Sequence, residues 1–127
     1  GEWLSMALQI KRIYDPFEES DGVRLLVDRL WPRGISKENA HLDGWLKELA
    51  PSRQLRMWFG HRAELFAEFS VRYRAEMEAS AEARAAIRRI LLQSGQMTVT
   101  LLYGAKDPII NQATVLEAYL DEKSKSI

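Results

Sequence analysis

The run Val23-Arg24-Leu25-Leu26-Val27-Asp28-Arg29-Leu30-Trp31-Pro32-Arg33-Gly34 passes without a spacer from apolar residues suited to a buried strand into two arginines, a carboxylate, an indole and a Pro/Gly turn. Charged groups set directly at the end of a core strand lie where a rigid scaffold can hold a site. Asp28 is the leading candidate for a working carboxylate, either as a general base or as the acceptor of a substrate hydrogen bond. Desolvation at a strand end raises the pKa of such a group and a neighbouring arginine lowers it. The structural alternative is an ion pair between Asp28 and an arginine that locks the turn. Arg29 and Arg33 can offer cationic donors to phosphate or carboxylate, or stay solvated. Trp31, in the Pro/Gly loop, can line a pocket or stack on a ring.

A second group follows the last predicted strand. Asp107-Pro108 is an N-cap residue followed by proline at the first helical position, which predicts a helix to about Leu120. The free N–H groups and positive dipole of such a helix attract an anion, and Lys106 adds charge beside them. Alternatively, Asp107 is only a cap whose own carboxylate occupies those amides. Tyr103 can orient a substrate through its hydroxyl or simply fill the rim of the core. His61, after an apolar helix closed by Gly60, can act as a general acid or base near neutrality, or cap the helix dipole.

Composition removes several classes of chemistry. The chain has 127 residues, is 46% hydrophobic and contains no cysteine, so it fits one domain without disulfides, thiolate ligands or a cysteine nucleophile. Its 18 basic and 18 acidic residues cancel, which argues against whole-molecule attraction to nucleic acid or membrane. With two histidines and no clustered acidic ligands, neither a metal site nor another cofactor is expected. The glycine patterns of mononucleotide loops, dinucleotide folds and serine-hydrolase elbows are absent. No membrane span is expected, and a cytoplasmic location is. Residues 1–5 precede the first methionine and read as a remnant outside a single domain over residues 6–127.

These groups need elements to position them. Alternation over Leu8–Tyr14 predicts a first strand, Val23–Leu30 a second strand covered on both faces, and Met97–Tyr103 a third. The short Asp15–Gly22 connection leaves the first pair open to a hairpin. Helical spacing is read at Leu42, Trp45, Leu46 and Leu49, in a segment from Ser52 to Gly60, over Ala63–Ala79 and from Ser80 to Gly95. Asp121–Ile127 reads as a frayed tail. The expected fold is α/β, with a small, mainly parallel sheet of three or four strands flanked by helices. A parallel pairing of the second and third strands would bring Asp28-Arg29 and Tyr103-Gly104 to the same edge, where open α/β sheets bind ligands.

Four blocks carry a family resemblance: Val27–Gly34, Trp45–Ser52, Leu55–His61, and Val99–Tyr103 with Lys106-Asp107 and Asn111. In this order they resemble the YeaO-like branch of domain-of-unknown-function family 488, over nearly all of Leu8 to Leu120. The resemblance implies an α/β domain in which the Asp-Arg segment and the loop after the last strand lie together, and it brings no established activity. It also implies that the wider family often has cysteine and histidine where this chain has Asn111 and Gln112, so no covalent mechanism carries over. Asn111 is left either as a hydrogen-bonding group at the crevice or as a solvated helix residue.

Two functional readings follow. In the first, a small enzyme or degenerate enzyme holds an anionic, phosphate- or nucleotide-like molecule at the strand ends. Arg29, Arg33 and Lys106 would clamp it, Asp28 or His61 would exchange protons, and Tyr103 with Asn111 would orient it. In the second, a regulatory module binds nucleic acid or protein through Arg53, Arg56, Arg72, Arg84, Arg88 and Arg89. The oligomeric state is open.

Overall fold

Strand β1 (Leu8–Arg12), β2 (Val23–Leu26), β3 (Gly44–Trp45) and β4 (Val99–Tyr103) form one sheet in the order β1-β4-β2-β3, and every pairing is parallel. This computed structural model describes residues 7–126. The expected remnant at residues 1–5 lies outside them. The α/β class and the parallel four-stranded sheet agree with the sequence reading. The hairpin left open for the first two strands does not occur, because β4 lies between β1 and β2. Residues Leu8 to Arg12 pair with Val99 to Tyr103 on one side of β4, and Val23 to Leu26 pair with Val99 to Leu102 on the other.

The twofold period of the strands sorts side chains onto two faces. Leu25, Val27, Val99, Leu101 and Tyr103 enter the main core, against α3 (Phe66–Ala79), α4 (Ala81–Ser94) and α5 (Gln112–Lys125). Leu26 and Leu102 face the opposite way and join Ile13 and Ala40, with Trp31, Ile35, Leu42 and Trp45 packed around them. Phe69, Tyr73 and Met77, one turn apart on α3, supply the buried stripe anticipated from their spacing. The Tyr73 hydroxyl is buried, and it donates to the Leu49 carbonyl.

Local capping chemistry sets most helix ends as expected. Ser52 accepts the Leu55 N–H at 3.1 Å and opens α2 (Arg53–Phe59), which Gly60 closes in the left-handed conformation. Ser80 accepts the Ala83 N–H at 3.1 Å and opens α4. Ser36 caps the short α1 (Lys37–Ala40).

Several boundaries depart from the sequence reading, and three of them bear on the site. The apolar spacing over Leu42–Leu49 does not form a helix; Gly44–Trp45 is β3 and Lys47–Leu49 a 3₁₀ turn. Asp43 explains this, since its N–H donates to the Arg24 carbonyl at 2.8 Å while its carboxylate accepts the Arg24 N–H at 2.8 Å. These bonds pin the segment to the edge of β2. The last helix begins at Gln112 rather than at Asp107 and continues through the expected frayed tail to Lys125. Asn111 wins the cap by accepting the Thr114 N–H at 2.9 Å, while Asp107 forms a separate turn with Ile109 and Ile110. The regular part of the second strand stops at Leu26, so Val27 to Leu30 is a strand exit. No helix among the described residues is long and apolar enough to cross a membrane.

Candidate functional site

Parallel pairing of β2 and β4 brings their carboxyl ends to a common edge. Val27 N–H still donates to the Leu102 carbonyl at 3.0 Å, so Asp28 emerges opposite Gly104. The Gly104 N–H donates to Asp28 Oδ2 at 2.8 Å, and the Gln112 side-chain amide donates to Oδ1. The Trp45 indole N–H donates to the Asp28 carbonyl at 2.7 Å, which fixes the backbone as well. A Cβ added at Gly104 would lie 3.0 Å from Asp28 Oδ2, so a side chain there would crowd the carboxylate.

Burial is the largest influence on Asp28 and raises its pKa from 3.8 to about 6. The Gly104 and Gln112 hydrogen bonds oppose that rise, as do the charges of Arg56 and His61. No salt bridge holds Asp28 among the described residues, so the alternative of a locking ion pair is not what fixes the turn. Among the described residues, a buried ion pair lies elsewhere, between Asp21 and Arg24.

Asp28 opens into a cavity of about 690 Å³, within the roughly 300–1,000 Å³ range of small-molecule sites. Arg29, Arg33, Arg56 and His61 line it, together with Gln112 and the Gly104 backbone. Arg29 comes from the strand exit, Arg33 from the Pro/Gly loop that follows it, and Arg56 from α2. His61 follows the Gly60 cap with its own backbone left-handed, at φ 59°. Arg56 Nε is buried and has no hydrogen-bond partner among the described residues. Apolar walls come from Leu30, Trp31, Met57, Phe59 and Phe69.

Five of the nine residues singled out from sequence, Asp28, Arg29, Trp31, Arg33 and His61, line this cavity. The other four do not. Tyr103 is buried in the main core, and burial pushes its hydroxyl pKa up. Lys106 is exposed on the loop beyond Gly104. The Asp107 carboxylate takes the Ile109 and Ile110 N–H groups at 2.8 and 2.9 Å, and those bonds hold its pKa down. Asn111 is buried rather than solvated, and its amide donates to the Asp107 carbonyl at 2.8 Å.

Sequence reasoning missed Arg56 and Gln112 as members of the site. A signal for Arg56 was present: it lies three residues before buried Phe59 and one after buried Leu55, so it borders the inward stripe of α2. Gln112 had no such local mark. The basic surface considered as an alternative also changes, since Arg56 belongs to the cavity and Arg72 pairs with Glu68 while lying 4.4 Å from the Trp58 ring centroid. Among the described residues, no group of three or more His, Asp and Glu is placed to hold a metal ion.

Residues 7–126 match a family model described as the inactive DUF488-N3 subclade. The chain belongs to this family. The DUF488 chain is 44% identical over 115 residues to Uncharacterized protein YeaO of Escherichia coli, covering 91% of its own length and 97% of the relative. It is 37% identical over 114 residues to Uncharacterized protein Mb3100c of Mycobacterium bovis, covering 90% of this chain and 93% of that one. The same figures hold for Uncharacterized protein Rv3073c of Mycobacterium tuberculosis. No solved structure matches the chain.

Proposed function

We propose that this domain is a degenerate enzyme that binds an anionic, phosphate- or nucleotide-like small molecule at the carboxyl ends of its strands. The observation that carries this reading is the cavity itself, where three arginines border a desolvated carboxylate and one guanidinium nitrogen, Arg56 Nε, is buried without an acceptor among the described residues. A guanidinium has only donors, and a buried donor left unsatisfied costs about 1–3 kcal/mol. Ligand oxygens would offset that cost through charge-assisted hydrogen bonds.

Asp28 and His61 are the groups able to exchange a proton with such a ligand, and Arg29, Arg33 and Arg56 those able to hold its charge. Lys106 follows cavity-lining Ala105 in the chain and does not itself line the cavity. Asn111 is committed to capping α5, and Gln112 to orienting Asp28. Neither is a nucleophile. Together with the family description as inactive, this favours binding over turnover.

A thermal-shift screen of phosphorylated metabolites, nucleotides, inorganic phosphate and sulfate tests the proposal. Saturable stabilisation by at least one anion, lost in Arg33→Ala, is expected. A screen in which no anion stabilises the domain would overturn it.

A further inference from the structure

The cationic groups account for only part of the cavity. Leu30 and Met57 are 65% and 71% exposed, and each directly follows a cavity-lining arginine in the chain. They come from separate segments, the strand exit and α2, and both line the same opening. Trp31 lines it too, with its indole N–H already donated to the Ile35 carbonyl at 2.6 Å. What Trp31 can offer a guest is therefore its ring. A bare anion would leave Leu30 and Met57 against water, whereas a guest with a planar ring would cover them and meet the part of the Trp31 ring that lines the cavity.

Charge limits the anionic part. Arg29, Arg33 and Arg56 carry three positive charges, and ionised Asp28 cancels one. A phosphate monoester, at about −1.5 to −2 near neutral pH, balances the remainder. A triphosphate would exceed it, and the chain has no glycine-rich phosphate cradle to make up the difference.

We propose that the ligand is a nucleoside monophosphate, with its phosphate held by Arg33 and Arg56 and its base covering Leu30, Trp31 and Met57. This rests on the anion-binding reading and narrows it to a ligand class. No bond to the nucleotide is made or broken. The arrangement resembles other sequence-tolerant sites in which basic groups track phosphate and aromatic faces take bases.

Isothermal titration calorimetry of the full chain with the four common ribonucleoside 5′-monophosphates, ribose 5-phosphate, adenosine and inorganic phosphate separates the possibilities. At least one nucleoside monophosphate should bind about tenfold or more tightly than ribose 5-phosphate. The Leu30→Ser/Met57→Ser double variant, checked for folding by circular dichroism, should bring that ratio close to one. If ribose 5-phosphate or inorganic phosphate matches the best nucleotide, the monophosphate proposal fails while anion binding stands. An advantage that survives in the folded double variant would overturn the placement of the base. Absence of heat with every probe would overturn the nucleotide proposal, and the broader anion screen would then decide the first reading separately.

Discussion

The Gly104 N–H donates to Asp28 Oδ2 at 2.8 Å across a sequence separation of 76. It ties the end of β4 to the exit of β2, and Gln112 holds the other carboxylate oxygen from the start of α5. Two neutral donors fix the carboxylate while burial disfavours its charge, leaving a carboxyl group of raised pKa in a cavity lined by three arginines. Each of these contacts can be changed separately.

Asp28→Asn should alter the dependence of stability on pH. Asp28 titrates at about 6 when folded, against 3.8 ordinarily, so between those values the folded chain binds more protons than the unfolded chain. Its contribution is fully present below the unfolded pKa and is lost as pH rises through about 6. A shift of this size corresponds to at most about 3 kcal/mol. Urea denaturation of both proteins should show the variant gaining on the parent by about 2–3 kcal/mol between pH 4 and pH 7. Parallel profiles would mean that Asp28 is well solvated.

Gln112→Ala should raise the Asp28 pKa further. The Gln112 amide stabilises the ionised carboxylate, and its removal leaves burial less opposed. Carbon-detected NMR titration of the aspartate carboxyl signals reads this directly. An unchanged or lower Asp28 value would contradict the assigned hydrogen bond.

Arg33→Ala should weaken binding of the stabilising anion with little effect on the fold, because Arg33 is exposed. Loss of a charge-assisted hydrogen bond is worth about 1.5–3 kcal/mol, or roughly 10- to 150-fold in Kd. Arg56→Gln should weaken binding comparably while shortening the side chain beside Asp28. Calorimetry and thermal melts on both variants distinguish lost binding from lost stability.

Asp21→Asn should destabilise the domain strongly. Burial raises the Asp21 pKa, but hydrogen bonds from Lys11, the Glu18 backbone and Arg24 outweigh it and hold the carboxyl below its usual range. Its stabilising contribution is thus present above the usual carboxylate pKa and lost as pH falls through the lowered value, opposite in sign to Asp28. Arg24 is fully buried and also donates to the Ala40 carbonyl at 3.0 Å, so neutralising Asp21 leaves a charge enclosed. The expected cost is about 3–5 kcal/mol by chemical denaturation. A loss under 1 kcal/mol would show that water reaches the pair.

Gly22→Ala and Gly34→Ala should differ although both glycines have positive φ. A Cβ at Gly22 would lie 2.2 Å from the Thr98 carbonyl oxygen, whereas at Gly34 nothing lies within 4 Å. Gly34→Ala carries only the backbone penalty of about 1–2 kcal/mol. Gly22→Ala must also displace the chain entering β4, and its melting temperature should fall well below that of Gly34→Ala. Equal losses would argue against that close approach.

Residue order by itself determined the α/β class, the serine caps at Ser52 and Ser80, the glycine stop at Gly60 and the position of Asp28 at the exit of a core strand. These depend on side chains within a turn of the backbone they satisfy, or on periodicity along one element. Tertiary structure decided what distant segments compete for. Arg24 held Asp43 beside β2, so Gly44–Trp45 became an edge strand despite the helical spacing of Trp45. Asn111 took the cap from Asp107 once the loop after β4 had closed on itself, and this set Gln112 toward Asp28. The insertion of β4 between β1 and β2 then chose which loops share a rim, because strand order follows from nonlocal burial and hydrogen bonding, which local spacing does not encode.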